Sequence, residues 1–127
     1  MSETIRTGGC QCGAVRFRIS GELGRASICH CRMCQKAFGN LFAPLVSVGV
    51  AQLRWTRAEP RRFRSPNHVE RGFCPQCGTP LTYEAPDGVA PALRAFDHPA
   101  ALPPAAQYTT QGKPPYTAPL APLPGPP

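Results

Sequence analysis

Gly72-Phe73-Cys74-Pro75-Gln76-Cys77-Gly78-Thr79-Pro80-Leu81, residues 72–81 of a 127-residue chain, is the stretch on which the fold turns. Two cysteines separated by two residues, with glycine after the second, lie on a turn with a permissive backbone. Such a turn lets both thiolates converge on one ion and points backbone N–H groups at the sulfurs. The stretch reads as a zinc knuckle. A knuckle needs partners, because a closed structural zinc site takes four ligands, whereas a catalytic one keeps three and leaves a position open.

Partners lie upstream in Cys10-Gln11-Cys12 and in Cys29-His30-Cys31-Arg32-Met33-Cys34, which bring the cysteine count to seven. Seven divides as four plus three. Spacing alone leaves the division open: Cys74 and Cys77 pair either with Cys31 and Cys34, as in a zinc ribbon, or with another cluster. A disulfide framework is the competing reading for a small cysteine-rich chain. It is disfavoured because an odd count leaves one thiol over, CxC pairs bridge awkwardly, and Met1-Ser2-Glu3-Thr4-Ile5-Arg6 carries no apolar signal-peptide run. The expected compartment is therefore reducing and cytoplasmic, and no apolar stretch is long enough for a membrane span. His30, between two cysteines in an extended segment, is expected to point away and make ordinary hydrogen bonds. His68 and His98 have no partner cluster and read as loop residues.

The rest of the pattern has period two. Ala14-Val15-Arg16-Phe17-Arg18-Ile19 alternates apolar and basic residues, as a strand with one buried face does. Leu41 to Val50 is apolar but broken by Pro44. Residues 52–55, 61–64 and 81–83 complete a mostly antiparallel β domain. Arg32 to Phe38 reads as two turns of helix stopped by Gly39, with Cys34 near its start, where the dipole favours a thiolate. Ten of the seventeen prolines fall between Pro99 and Pro127. Residues 1–98 are thus expected to be the zinc-binding domain. Residues 99–127 are expected to be a proline- and alanine-rich strap anchored by residues such as Leu102, Tyr108, Tyr116, Leu120 and Leu123, or a disordered tail, without helices or central strands.

The formal charge is +7, with fourteen basic and seven acidic residues. Seven thiolates and two divalent ions would bring it to about +4. The basic residues lack the interleaved aromatics of a stacking platform, so nucleic acid is not the expected partner.

Together, Gly8-Gly9-Cys10-Gln11-Cys12-Gly13-Ala14-Val15-Arg16-Phe17, Cys29 through Gly39, and Arg71 through Leu81 closely resemble the glutathione-dependent formaldehyde-activating enzyme family. The resemblance runs from about Gly8 to Pro99. It departs from the family pattern at Glu59 and Pro66, and at Tyr116 where tryptophan is common. It implies a β-tent fold of short antiparallel sheets clamped by zinc, with one short helix. It also implies a division of ligands: Cys10, Cys12, Cys74 and Cys77 for a structural zinc, and Cys29, Cys31 and Cys34 for a catalytic one, two zinc ions per chain. The implied reaction is that of a carbon–sulfur lyase or synthase resembling S-(hydroxymethyl)glutathione synthase. Its partners would be glutathione or another small thiol and an aldehyde such as formaldehyde. Arg32 and Lys36, next to the open cluster, are the expected contacts for glutathione carboxylates. Two other classes compete with this enzyme: a non-catalytic zinc module that binds a protein or nucleic acid, and a thiol redox or metal-handling protein.

Overall fold

In the alternating segment the even-spaced apolar residues turn inward. Phe17 and Ile19 are fully buried, while Arg16 and Arg18 lie on the other face of the strand. A computed structural model describes residues 4–116 and 124–125 and builds this strand into the first of three small sheets. In that sheet β1 (Ile5–Gly9), β2 (Arg16–Ser20) and β5 (Leu53–Trp55) lie in the order β1-β2-β5, all antiparallel. Phe17 meets Trp55 and Phe96 edge to face, with centroids 6.0 and 5.3 Å apart. Gly8 opposes Phe17 across the ladder, and a Cβ there would lie 2.5 Å from the Phe17 ring and 2.4 Å from the Ala95 carbonyl oxygen. Only glycine admits that approach.

The second sheet contains β3 (Ala26–Cys29), β4 (Ala43–Val46) and, on the far edge of β3, β10 (Ala106–Tyr108). Pro44 stands on β4, an edge strand, where a missing N–H is tolerated. The third is an antiparallel meander of β6 (Arg61–Arg64), β7 (Glu70–Phe73), β8 (Pro80–Ala85) and β9 (Gly88–Pro91). One core joins the sheets: Phe17 and Ile19 from the first, Val46 from the second and Val89 from the third pack with Val48, Leu93 and Phe96. Apolar burial of this kind is the main favourable term in holding such small sheets together.

The one α-helix among the described residues, α1 (Arg32–Phe38), spans the expected residues and ends at Gly39 in the left-handed conformation, φ 56°. The architecture is mostly β with small antiparallel sheets and one short helix. The 99–127 segment proves more ordered over part of its length than its composition suggests. Single 3-10 turns form at Pro99–Ala101 and Thr110–Gly112, despite the expectation that the segment makes no helix. Between them, β10 pairs with β3 in parallel, at an edge as proline content demands. Leu120 and Leu123 lie outside the described residues. Among the described residues no helix is long and apolar enough to cross a membrane.

Candidate metal centres

The connection from β1 to β2 carries Cys10 and Cys12, and the connection from β7 to β8 carries Cys74 and Cys77. The structure brings these four together, with every pair of sulfurs within 4.8 Å. Cys10 and Cys12 are 3.5 Å apart and Cys12 and Cys74 3.7 Å. Four thiolates around one ion at about 2.3 Å would be about 3.8 Å from each other, the edge of a tetrahedron, so this donor set fits a soft divalent metal. All seven cysteines are unbridged.

Each sulfur of the four-thiol cluster has a donor. The Val15 N–H donates to Cys10 Sγ at 3.3 Å, and the Gln76 and Cys77 N–H groups both donate to Cys74 Sγ at 3.4 Å. The Thr79 hydroxyl lies 3.1 Å from Cys77 Sγ, and the Ala14 N–H serves Cys12. The Thr79 hydroxyl and N–H hold the Cys77 thiol well below its ordinary range, at about 5. Cys12 moves oppositely: the Ala14 N–H lowers its pKa, but Cys10, burial and the remaining thiols push it up to about 12. Like charges crowded on one point cannot all ionise unaided. Full deprotonation of the set needs a cation. Cys10 and Cys74 are buried with Val15 and Leu81, which makes this cluster part of the core.

The second cluster, Cys29, Cys31 and Cys34, also has its sulfurs within 4.8 Å of each other. Cys29 ends β3, and Cys31 caps α1, its sulfur accepting the Cys34 N–H at 3.3 Å. A thiolate here does what serine or aspartate does at other helix starts. Burial opposes ionisation of Cys31, but the Cys34 N–H, the neighbouring thiols and Arg71 more than offset it and lower its pKa. Cys34, the residue for which the helix start was expected to favour a thiolate, is instead pushed up to about 12, by burial first and then by Cys31. Burial outweighs the dipole of a seven-residue helix.

Three thiols rather than four line a cavity of about 440 Å³, shared with Ser27, Met33, Leu45, Asn67, Tyr83 and Tyr108. His30 stays out of the cluster. It is 1 % exposed, 2.9 Å from Gln107 Oε1 through Nε2, and edge to face with Phe42. Gln35, also buried, donates both to the His30 carbonyl and to the Gly112 carbonyl at 3.0 Å, and the His30 N–H donates to the Tyr108 carbonyl. The cysteine loop is therefore held by the segment after residue 99. Sequence reasoning missed Gln35, Gln107 and Gly112 because their partners are more than 70 residues distant or lie across a turn.

Arg71 was missed as well, although it precedes the knuckle. It is 4 % exposed, its Nη2 lies 3.7 Å from Cys34 Sγ, and its guanidinium stands 5.2 Å over the Tyr83 ring. The two cations expected to meet substrate are placed differently. Arg32 is exposed and donates to Gln35 Oε1 at 3.0 Å, and Lys36 lines a smaller groove with Met33, Phe63 and Arg71. Neither lines the cysteine cavity.

Fold and site thus define a small, mostly β protein with two cysteine clusters, each able to bind a metal ion, one in the core and one on a cavity wall. Residues 5–111 match the family model described as glutathione-dependent formaldehyde-activating enzyme. The chain belongs to that family. A Rhodobacter sphaeroides protein of known crystal structure, a structural-genomics target, is similar in fold: the TM-score is 0.65 at 21% identity, covering 80% of this chain and 98% of that one. No match was found among curated protein sequences.

Proposed function

We propose that the protein is a zinc-dependent carbon–sulfur lyase or synthase that joins the thiol of glutathione to formaldehyde or a related aldehyde. The reading rests on the contrast between the clusters: four thiols dressed by donors and built into the core, and three thiols facing a cavity. In it, Cys10, Cys12, Cys74 and Cys77 hold a structural zinc and Cys29, Cys31 and Cys34 a catalytic one. Bound by three thiolates, zinc would supply a soft position at which a substrate sulfur is kept as thiolate at neutral pH.

The chain's own residues do the rest. Tyr83, Leu45 and Tyr108 give the cavity walls with apolar surface for the substrates to pack on, and Ser27 and Asn67 offer polar contacts. Met33 borders both this cavity and the groove containing Lys36. A thiol tripeptide with its sulfur at the cysteines and its backbone across Met33 would bring a carboxylate to Lys36, while Arg32 is engaged with Gln35. Residues 99–127 act in this reading as a strap on the zinc domain of residues 1–98. The thiol ligands suit a reducing compartment, the cytoplasm.

The test is formaldehyde consumption with and without glutathione. Glutathione should accelerate it, Cys31→Ser should abolish the acceleration, and Lys36→Ala should raise the KM for glutathione with little change in kcat. Absence of glutathione-dependent turnover, together with salt-sensitive binding to polyanions, would replace the enzyme with a non-catalytic zinc module.

A further inference from the structure

Arg71 is the one residue among those described whose burial contradicts its charge. Its side chain is packed inside, 4 % exposed, and its Nη1 has no hydrogen-bond partner. The ion pairs among the described residues join Arg16 to Asp97 and Arg62 to Glu59 and Glu84, so Arg71 has no carboxylate. Its neighbours are the Cys34 sulfur at 3.7 Å and the face of Tyr83. An isolated buried cation is strongly unfavourable unless an opposite charge is close. The π face of Tyr83 offsets only part of that cost.

We propose that Arg71 is the counter-ion of the three-cysteine site, a positioning residue that sets how tightly that site keeps its metal. The proposal rests on the reading that Cys29, Cys31 and Cys34 bind zinc. Three thiolates and a divalent cation sum to one negative charge, which one guanidinium balances. The four-thiol cluster is dressed differently, by N–H groups and a hydroxyl rather than a buried cation. Arg71 is anchored in β7, one strand from the Tyr83 position in β8 that it pairs with, so the guanidinium is held in place by the sheet.

The experiment compares the zinc-loaded full-length chain with Arg71→Met and Arg71→Lys, titrating each with a competing chelator and counting bound zinc by native mass spectrometry. Arg71→Met should lose zinc from the three-cysteine site at about 10–100-fold lower chelator, the range for loss of an outer-shell partner, with the four-thiol zinc unchanged. Arg71→Lys, which keeps the charge, should stay closer to wild type. A second readout separates charge from packing: removal of the three-cysteine zinc should lower the Tm of wild type more than that of Arg71→Met, because only wild type is left with a buried cation that has lost the metal–thiolate group it faced. Equal zinc retention in wild type and Arg71→Met overturns the proposal. If Arg71→Met does not fold, Arg71→Lys decides, and loss of its zinc as complete as in Cys34→Ser overturns it. If wild type binds no zinc at Cys29, Cys31 and Cys34, the functional reading fails first and the inference with it, a result distinguishable from the other two.

Discussion

Asp97 shows at the scale of one residue how the segment after the last sheet is tied to the first. Its carboxylate accepts from Arg16 Nη1 at 3.0 Å and Nη2 at 2.6 Å and from the Thr7 hydroxyl at 2.6 Å. Arg16, then Thr7, hold its pKa at about 2, below the ordinary 3.8. A depressed carboxylate stabilises the fold above its unfolded pKa and loses that contribution as pH falls through the folded one. The pair is about a third exposed, so solvent screening limits its contribution to about 1 kcal/mol. Asp97→Asn should therefore be about 1 kcal/mol less stable than wild type at pH 7 in urea unfolding. The difference should shrink as pH falls from about 4 through about 2, and a difference that keeps its full pH 7 size at pH 2 would assign the effect to packing. The Arg16 side of this pair was visible in the alternating pattern; Asp97, 81 residues away, was not.

Among elements, α1 and β10 matter most to the site. The helix was legible because Arg32 to Phe38 is followed by Gly39, whose left-handed conformation satisfies the last carbonyls: its N–H donates to Gln35 and Lys36. Strand β10 was not legible, since Ala106-Gln107-Tyr108 is only three residues long and lacks β-branched residues, and its pairing is made by the edge that β3 offers. Strands β1, β3, β7 and β9 were missed for a related reason: each is four or five residues long and contains glycine, proline or cysteine, so packing rather than propensity decides it. Gln35 couples the helix to the segment after β10. Gln35→Leu leaves the His30 and Gly112 carbonyls without that donor and should cost about 1–3 kcal/mol. Hydrogen exchange should then speed up in residues 29–34 and 106–112 while β6 to β8 remain protected, and uniform acceleration would show the link to be no more than general packing.

At the scale of the molecule the two clusters have different jobs in stability. The four-thiol cluster ties the β1–β2 connection to the β7–β8 connection, 62 residues apart at Cys12 and Cys74, and so joins two sheets. The three-thiol cluster closes only a local loop. In the proposed zinc-loaded form, stepwise chelation should therefore release the three-cysteine ion first with the far-UV circular dichroism retained, and lose the fold only with the second ion. Loss of both ions in one step with unfolding would contradict this order. The cysteine spacing and flanking glycines were enough to indicate metal clusters, and the period-two alternation a mostly β domain, because turn geometry and strand periodicity are local properties. Which cysteine clusters come together is not local; from spacing alone it stayed open, and the fold decides it by placing residues 10–12 beside 74–77. Only the tertiary structure likewise decided that Arg71 lies buried against Cys34, that His30 turns to Gln107, and that part of the proline-rich segment forms a wall of the site. Those relations depend on sheet order and burial, and no window of sequence contains both partners.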